Sequence, residues 1–486
     1  MKLTEPVETR NFIGGAHCRS VSNEYFEKKA PATGEVLSHV VASTSQDVDQ
    51  AVCTAREAFD HGPWRSMSGA HRARLLFKLA DLLEQNADAF SISLAREQGR
   101  PIYEMRMMDL PVSIDTLRYF AGWADKLEGR SVPTAGYMGR QTVNYTVLEP
   151  VGVVAQIIPW NAPLMICIWK LAPALAAGCT VVIKPSEDAP LSVTSLGALI
   201  EEAGFPAGVV NIVNGIGPSV GRALVNHPGV DKISFTGSTA VGRSIAADVA
   251  GTFKKLTLEL GGKAPQIVFP DANLDAAIPG IAMGLFVNQG QTCAAGSRVL
   301  VHRSIEASVV EGLAAAAKSI VLGDPLDGAV SMGALINERH KSRVQEYISI
   351  GKSEGARLVA GDEPVPEVGN FVRPTVFANV NNRMRIAQEE IFGPVGMVIP
   401  FEDWEDAVAL ANDAAYGLSA TIWTQDLSIA HRTAKALDVG AVAINGWSPL
   451  DARLPWGGRK DSGLGHDLSK TALDAYLQEK VVTVVV

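Results

Sequence analysis

Cysteine is scarce in this sequence, and the cysteines that are present follow no recognisable pattern. The chain of 486 residues contains five cysteines, and no two of them form a Cys-X-X-Cys pair. This composition excludes a disulfide-stapled secreted scaffold and predicts no cysteine-based zinc site, so a reducing cytoplasm is the compartment that fits best. The histidines lack the HxxxH and HExxH spacings that hold zinc, and we therefore predict no metal site.

An excess of positive charge is also missing. Lysine and arginine number 43 against 52 aspartates and glutamates, which gives a net charge of −9. This balance disfavours nucleic acid or an anionic membrane as the main partner. The N-terminus has no apolar run typical of a signal peptide. The long apolar stretch 151–183 is broken by Pro159, Pro163, Lys170 and Pro173, which favours buried strands and a helix over a membrane span.

Short β-rich segments alternate with helical segments over most of the chain. From residue 151 to about 260 the predicted strands are VGVVAQII, CTVVIKP, VVNIV, KISFTG and KLTLELG. From about 264 to 445 they include PQIVF, RVLVH, ARLVAG, GMVIPF and AVAIN. Such alternation predicts an α/β fold with two doubly wound, mainly parallel sheets, one in each region.

The two ends of the chain show other patterns. Residues 46–61 and 68–98 have the apolar spacing of amphipathic helices, and helical patterning continues to about residue 127. Residues 142–148 alternate as a half-exposed strand does, and residues 480–486 are strongly strand-forming and apolar. An apolar strand at a chain end needs a partner, so we expect both segments to join sheets at a subunit contact.

Three motifs follow predicted strands and are candidates for nucleotide contacts. Residues 215–221 are one residue too long for a GxGxxG motif, and a tight turn explains them equally well. Residues 237–244 differ from a P-loop by Arg243 in place of lysine, which argues against an NTPase, although the turn still presents free N–H groups to a pyrophosphate. Residues 184–187 end a buried strand, where the carboxylate of Glu187 can accept from a ribose and would repel a 2′-phosphate. A solvated turn is the alternative for this last motif.

Three side chains are candidates for catalysis. Cys293 lies in a polar, glycine-rich break before RVLVH, and a thiol with a pKa of about 8.5 needs a local positive field to ionise. Glu259, which lies between two leucines, is predicted to be half-buried with a raised pKa, as suits a general base. Asn161 follows a strand end and can donate its amide to an oxyanion. Each has a structural alternative: a small hydrophobe, a glutamate bonded to backbone N–H groups, and a turn cap. No local signature favours a Cys–His hydrolase.

Taken together, these motifs resemble the aldehyde dehydrogenase superfamily along nearly the whole chain. The resemblance rests on seven motifs in the expected order: PWNAPL (159–164), LAPALAAGCTVVIKPSE (171–187), FTGSTAVG (235–242), LELGGKAP (258–265), NQGQTCAAGSR (288–298), EEIFGPV (389–395) and PWGGRKDSGLG (455–465). Any one of them is weak, but seven in order are not expected by chance.

The resemblance implies a role for each candidate. Cys293 would be the nucleophile that attacks an aldehyde, Asn161 and the backbone N–H of Cys293 would form the oxyanion hole, and Glu259 would be the general base. A nicotinamide cofactor would be held by Trp160, Lys184, Glu187, Gly237, Ser238, Gly242, Glu390 and Phe392. Because the charge of Glu187 opposes a 2′-phosphate, NAD is preferred over NADP.

The resemblance also points to a substrate tunnel and to departures from the family pattern. Trp169, Ala162, Val287 and Trp456 stand where the tunnel would be lined. Ala162 replaces an aromatic residue common in the family and should widen the tunnel, which suggests a medium-sized, apolar or aromatic aldehyde. Asp467 stands where the family often has a longer acidic residue, so its part in a proton relay is left open.

The same resemblance divides the chain into domains. Residues 1–127 and 148–258 would form a Rossmann-like NAD(P)-binding domain, and residues 259–470 a catalytic domain. Residues 128–147 and 471–486 would form a small β-arm, which predicts a homodimer or homotetramer. Two alternatives stay open: an enzyme of the same fold that passes the acyl group to coenzyme A, against which the candidate base argues, and a non-catalytic binding or structural protein.

Overall fold

The computed structural model describes residues 7–447 and 450–486 of the chain. Its β-strands are β1 (Val7–Thr9), β2 (Asn11–Ile13), β3 (Ala16–Cys18), β4 (Tyr25–Lys29), β5 (Val36–Val41), β6 (Thr142–Pro150), β7 (Val153–Ile157), β8 (Thr180–Lys184), β9 (Val210–Ile212), β10 (Lys232–Thr236), β11 (Lys255–Glu259), β12 (Pro265–Val268), β13 (Arg298–His302), β14 (Arg357–Ala360), β15 (Thr375–Ala378), β16 (Val395–Phe401), β17 (Tyr416–Gly417), β18 (Ser419–Trp423), β19 (Ala441–Ile444), β20 (Arg459–Lys460), β21 (Gly463–Leu464) and β22 (Leu477–Val485).

The α-helices are α1 (Ser45–Asp60), α2 (Pro63–Ser66), α3 (Gly69–Gln85), α4 (Ala87–Gln98), α5 (Ile102–Glu104), α6 (Leu110–Ala121), α7 (Pro163–Ala177), α8 (Leu191–Ala203), α9 (Arg222–Asn226), α10 (Thr239–Val249), α11 (Leu274–Phe286), α12 (Glu306–Ser319), α13 (Glu338–Ser353), α14 (Arg385–Gln388), α15 (Trp404–Asn412), α16 (Leu427–Ala436) and α17 (Ser469–Asp474). Short π-helical turns occupy Met105–Asp109 and Gly217–Gly221, and 3₁₀ turns occupy Val287–Gly290 and Arg303–Ile305.

The first sheet has eight strands in the order β21-β11-β10-β7-β8-β9-β2-β3. Its central strands β11, β10, β7, β8 and β9 run parallel, and they are the five strands predicted between residues 151 and 260. Helices α3, α6, α7 and α8 bury one face of this sheet, and α1, α9 and α10 bury the other. Helices on both faces make the sheet doubly wound, as the sequence predicts.

The second sheet has seven strands in the order β14-β15-β16-β13-β12-β18-β19, parallel except for β14. Helices α13 and α15 pack on one face, and α11 and α12 pack on the other. The sequence analysis missed β15 and β18, two buried strands of four and five residues. The α/β class with two such sheets is therefore confirmed.

The N-terminal part differs in detail from the prediction. The helical segment 68–98 is two helices, because the chain breaks at Asn86 between α3 and α4. Helical structure ends at Ala121 rather than at residue 127, after the π-helical turn Met105–Asp109. The three-stranded sheet β1-β5-β4 was not predicted.

The two outlying apolar strands pair with each other. β6 and β22 form an antiparallel ribbon from Leu477 opposite Pro150 to Val485 opposite Thr142. Val481 and Val484 are exposed on this ribbon. The division into domains stays a prediction, but β21 lies within the segment assigned to the catalytic domain and yet extends the first sheet beside β11.

Candidate active site

A cleft of about 370 Å³ lies where the carboxyl ends of the first sheet face loops that precede strands of the second sheet. Loops after β7, β10 and β11 supply one side, which is the edge where open α/β sheets bind ligands. The loops before β13 and β16 supply the other side. The wall includes these residues predicted from sequence: Trp160, Asn161, Gly237, Ser238, Cys293, Glu390 and Phe392.

A second, smaller cavity of about 50 Å³ adjoins the cleft. Its wall contains all the predicted tunnel residues, namely Trp169, Ala162, Val287 and Trp456. The cavity is strongly apolar, and Met108 and Trp447, which sequence reasoning did not place here, also line it. The wider tunnel expected from Ala162 stays a prediction.

Cys293 is half-buried and lies in the walls of both cavities. Burial, together with the nearby carboxylates of Glu390 and Glu259, raises the pKa of its thiol to about 12. The local positive field that sequence reasoning required is not present among the described residues. The thiol is therefore protonated at neutral pH unless a neighbouring base removes its proton.

Glu259 ends β11 with its carboxylate almost completely buried. Neither carboxylate oxygen has a hydrogen-bond partner among residues 7–447 and 450–486. Burial raises the pKa of this carboxyl well above its usual range, and the negative charge of Asp467 adds to the effect, while Lys170 opposes it. A carboxylate that is buried, unpartnered and weakly acidic has the properties of a general base.

A buried ion pair lies beside this carboxylate. The Nζ atom of Lys170 is 2.7 Å from Oδ2 of Asp467, and both side chains are at most 2% exposed. The shorter aspartate therefore still reaches the lysine. Sequence reasoning treated Lys170 only as an interruption in an apolar stretch, but a lone charge on the fully buried helix α7 was a signal that it needed a partner.

Glu390 faces the cleft from the loop before β16. Its Oε1 atom accepts a hydrogen bond from the backbone N–H of Gly262 at 2.9 Å, and burial raises the pKa of its carboxyl to about 7. Gly261 makes this approach possible, because a Cβ atom there would lie 2.3 Å from Oε2 of Glu390. Glycine is thus needed after Glu259 for a steric reason that the sequence did not show.

An aromatic cluster holds Phe392 at the cleft. The Phe392 and Trp160 rings pack edge to face, with their centroids 5.2 Å apart. The centroids of the His340 and Trp160 rings are 5.3 Å apart. Phe392 has a φ of 62°, in the left-handed region that non-glycine residues rarely adopt. The ring N–H at Nε2 of His340 donates to the Phe392 carbonyl at 2.7 Å, and burial lowers the pKa of this histidine to about 4, so the ring is neutral. A lone histidine gave no sequence signal for this role.

The turn after β10 presents hydrogen-bond donors to the cleft. Ser238 caps helix α10, and the buried hydroxyl of Thr236 has no partner in the described part of the chain. A Cβ atom on Gly237 would lie 2.5 Å from the Phe235 ring, so only glycine fits this turn. Gly242, which we predicted to contact a cofactor, is buried against Leu260 of the cleft wall and lies outside the cleft itself. A helix N-terminus with a partnerless hydroxyl fits the pyrophosphate of a dinucleotide.

Lys184 and Glu187 also lie outside the wall of the cleft. The Nζ atom of Lys184 is 2.9 Å from Oε2 of Glu187, and the N–H of Gly217 donates to Oε1 of Glu187 at 3.4 Å. Burial raises the pKa of Glu187, but the charge of Lys184 and the backbone N–H groups outweigh it, so the net pKa is lowered. The carboxylate is therefore ionised at neutral pH.

No group of three or more His, Cys, Asp or Glu side chains placed to hold a metal ion occurs in residues 7–447 and 450–486. Over the same residues, no helix has both the length and the apolar character that a membrane crossing requires.

The fold and this site define a class of protein. Residues 18–482 match the aldehyde dehydrogenase family, and the chain belongs to that family. The resemblance seen in the seven motifs is thereby confirmed.

Particular relatives are similar over nearly their whole length. Aldehyde dehydrogenase 1A1 of Gallus gallus is 45% identical, over 99% of this chain and 96% of the relative. The NAD⁺ complex of an aldehyde dehydrogenase from Bacillus cereus has a TM-score of 0.97 at 44% identity, and covers 100% of this chain and 97% of that chain. The P. syringae indole-3-acetaldehyde dehydrogenase AldA, in complex with NAD⁺ and IAA, has a TM-score of 0.96 at 41% identity, with coverage of 99% and 96%.

Proposed function

We propose that this protein oxidises an aldehyde to the carboxylic acid with NAD, through a thiohemiacetal and then a thioester on Cys293. One observation carries the proposal: Cys293 and Asn161 lie in the walls of both the large cleft and the apolar cavity. An aldehyde in the cavity and a cofactor in the cleft would therefore meet at the thiol. Solved NAD⁺ complexes of relatives at 41% and 44% identity support the choice of cofactor.

The residues around the cleft fit a dinucleotide. The Gly237–Ser238 turn and the Thr236 hydroxyl would bind the pyrophosphate, and Glu390 would accept from the nicotinamide ribose. Trp160 and Phe392 would pack on the cofactor, Lys184 and Glu187 would hold the adenosine ribose, and Gly242 would support the turn by its packing on Leu260. When bound, the nicotinamide ring supplies the hydride acceptor.

The first chemical step is the attack of the thiol on the aldehyde. Because burial keeps the Cys293 thiol protonated, a base must take its proton. Glu259 is the candidate, since its carboxylate has no hydrogen-bond partner among the described residues and its charge contributes to the raised pKa of the thiol. The Cys293 sulfur then bonds to the aldehyde carbon. The carbonyl oxygen becomes an oxyanion that accepts from the Asn161 amide and the Cys293 N–H, and such a donor is worth roughly 3 kcal/mol.

The second step releases the acid. After hydride loss, the substrate is an acyl group in thioester linkage to Cys293. Between the two steps, the thiol proton passes from Glu259 to the Lys170–Asp467 ion pair, which lies next to Glu259 and which our proposal includes as the acceptor. Glu259 then removes a proton from water, and the hydroxide attacks the acyl carbon. The C–S bond breaks to give the carboxylic acid and the Cys293 thiolate, which takes the proton from Glu259. Covalent catalysis thus divides one oxidation into two steps.

We infer a medium-sized, apolar or aromatic substrate. The cavity next to Cys293 is almost entirely apolar, which favours an apolar or aromatic group. Arg100 lies in its wall, but Glu104 and Asp109 neutralise the guanidinium, so the cavity does not attract a carboxylate tail. The P. syringae relative, an indole-3-acetaldehyde dehydrogenase, is consistent with an aromatic aldehyde.

Absorbance at 340 nm with NAD and a panel of aldehydes tests the proposal. We expect NADH from apolar and aromatic aldehydes, at a rate that coenzyme A does not change. Turnover that requires coenzyme A would instead establish the acylating alternative. An absence of NADH from a folded protein that binds NAD would favour the non-catalytic alternative, and turnover of short charged semialdehydes alone would overturn the substrate class.

The domain division, assembly and location are further parts of the proposal. The first sheet would be the core of the NAD-binding domain, and the second sheet the core of the catalytic domain. The β6–β22 ribbon would be an arm that pairs with a second copy in a homodimer or homotetramer, because it exposes apolar side chains. Analytical ultracentrifugation would test this, since a monomer at micromolar concentration contradicts it. The scarcity of cysteine supports a cytoplasmic location.

Affinity for NAD should depend on pH through Glu390. Its pKa of about 7 means that the carboxylate, which would accept from the nicotinamide ribose, dominates above pH 7 and is lost below it. As the pH falls from 8 to 6, we expect the Kd for NAD to rise by up to about tenfold. At a pH one unit below its pKa, a carboxyl group is only about one-tenth ionised. Calorimetric titration of Cys293→Ala with NAD measures this without turnover. A Glu390→Gln variant that kept the same pH dependence would contradict the assignment.

Preference for NAD over NADP should depend on Glu187. The ionised carboxylate repels a 2′-phosphate, so Glu187→Gln should raise kcat/KM for NADP by about tenfold, equivalent to about 1.4 kcal/mol, with a smaller change for NAD. The matched control is Glu201→Gln, which removes the same charge from an exposed position on the neighbouring helix α8. An equal gain in both variants would show a general charge effect and not a local one.

A further inference from the structure

The segment that carries Cys293 contains an unusual turn. Residues 287–293, which we call the nucleophile loop, begin directly after helix α11. Asn288 and Gln289 have φ/ψ angles of 51°/36° and 54°/29°, so two consecutive non-glycine residues are in the left-handed region. Each such residue costs of order 1–3 kcal/mol, and the conformation persists only where neighbouring contacts hold it.

One of these contacts comes from a distant part of the chain. The backbone N–H of Asn288 donates to Oε2 of Glu104 at 3.1 Å, and both residues are buried. Gln289 is held separately, because its Nε2 donates to the Gly99 carbonyl at 2.9 Å and to the Ala334 carbonyl at 3.2 Å. Glu104 is thus the acceptor that fixes the first strained residue of the nucleophile loop.

Asn288 also connects the nucleophile loop to the oxyanion hole. Its Nδ2 donates to the backbone carbonyl of Asn161 at 2.7 Å and to the carbonyl of Gln291 at 3.1 Å. A rotation of the Asn288 backbone would therefore shift Cys293 relative to Asn161. Cys293 and Asn161, which must act on the carbon and the oxygen of the same carbonyl group, are therefore both connected to Asn288.

Glu104 belongs to a buried charge cluster that restricts its movement. Nε of Arg100 is 2.5 Å from Oε2 of Glu104, and Nη1 of Arg100 is 2.9 Å from Oδ1 of Asp109. All three side chains are at most 3% exposed. Glu104 precedes the π-helical turn Met105–Asp109, and Asp109 ends it, so Arg100 ties the two ends of the turn together. π-helical turns frequently occur at functional sites.

We infer that Glu104 is a positioning residue: through the N–H of Asn288, it holds the nucleophile loop so that the Cys293 sulfur reaches the carbon, and the Asn161 amide the oxygen, of the same carbonyl group. The kinetic part of this inference rests on the proposed aldehyde oxidation. Glu104 contacts no substrate, and it acts only through Asn288. Misplacement of reacting groups by about 1 Å can cost about 100-fold in rate, so a small displacement of the loop has a large effect.

Three variants separate positioning from stability. Glu104→Leu removes the acceptor for Asn288 and the charge that pairs with Arg100. Glu104→Gln keeps a side-chain oxygen that can accept from Asn288 but loses the charge. Asp109→Asn is the matched control, because it also removes one charge partner of Arg100 but has no contact with the nucleophile loop.

The readouts are kcat, KM, thermal stability and the rate at which iodoacetamide alkylates Cys293. For Glu104→Leu we expect kcat to fall about 10- to 100-fold and alkylation to change at least threefold, with KM for the aldehyde within threefold of wild type. Glu104→Gln should recover most of kcat. Asp109→Asn should lose thermal stability as Glu104→Leu does, while both its kcat and its alkylation rate stay within about twofold of wild type.

Equal kcat and equal alkylation rates in Glu104→Leu and Asp109→Asn would overturn the inference and leave Glu104 a purely structural residue. If wild type forms no NADH, the proposed oxidation fails, but the alkylation rates of the three variants still decide whether Glu104 positions the thiol. If Glu104→Leu does not fold, the comparison of Glu104→Gln with Asp109→Asn decides it: a Glu104→Gln variant with less alkylation or turnover than Asp109→Asn would contradict the role of the acceptor.

Discussion

Cys293→Ala should form no NADH from any aldehyde, with a loss of turnover of about 10⁴-fold or more. The thiol is the atom to which the aldehyde carbon bonds, and no other described side chain in the walls of both cavities is a nucleophile. Alanine removes the sulfur without adding bulk or charge, so the cleft should still bind NAD. Absorbance at 340 nm measures turnover, and calorimetric titration with NAD measures the intact cleft.

Cys53→Ala is the control for the thiol. Cys53 is an exposed cysteine on helix α1, outside both cavities. Its replacement should leave NADH formation unchanged within error. If Cys293→Ala kept more than about one-tenth of the wild-type rate, the covalent route would be excluded.

Glu259→Gln should form NADH once, more slowly than wild type because the base that takes the Cys293 proton is missing, and then stall. The glutamine is isosteric but cannot take a proton from water, so the thioester on Cys293 should accumulate. We expect a burst approaching one NADH per active site, followed by a steady rate reduced by about 10²- to 10⁴-fold, which is the usual contribution of a general base. Stopped-flow absorbance at 340 nm resolves the two phases.

The same variant tests which step needs the base. Because the proposal also has Glu259 take the proton of the Cys293 thiol, whose pKa is raised, the burst should be slower than in wild type at neutral pH. Raising the pH should speed the burst as the thiol begins to ionise without help. Added hydroxylamine, which attacks thioesters directly, should restore steady turnover in Glu259→Gln and should do nothing in Cys293→Ala. A variant with wild-type steady turnover would remove Glu259 from the mechanism.

Three predicted site residues lie at or just after the carboxyl ends of parallel strands in one sheet. Glu259 ends β11, Asn161 follows β7 and Ser238 follows β10. The carboxyl ends of such strands meet at one edge, so the sequence could predict that these residues lie close together. The order of buried strands and helices was enough to predict the α/β class. The sequence analysis did not identify β15 and β18, although both are buried and contain β-branched residues.

The electrostatics could not be predicted in the same way. The sequence around Cys293 suggested a thiol that needs a positive field, but folding brings Glu259 and Glu390 to it, and both raise its pKa. Likewise, a sequence pattern gives no sign that Lys170 will meet Asp467. These pairings depend on tertiary contacts between distant segments.

Two residues of the substrate cavity were not found from the sequence. Met108 and Trp447 line it from segments far away in the chain, and no motif marked either of them. The Arg100–Glu104–Asp109 cluster was missed as well, because three charges in a helical region are usually a solvated face. In this protein the same three charges are buried, and Glu104 accepts a hydrogen bond from the nucleophile loop.

The most direct test of the proposed chemistry is to locate the acyl group. Glu259→Gln is mixed with NAD and an aromatic aldehyde, quenched in acid within the burst, digested and examined by mass spectrometry. The proposed mechanism predicts an acyl group on the peptide that contains Cys293, present with NAD and absent when NAD is omitted. An NADH burst without an acyl group on Cys293, or with the acyl group on another residue, would contradict it.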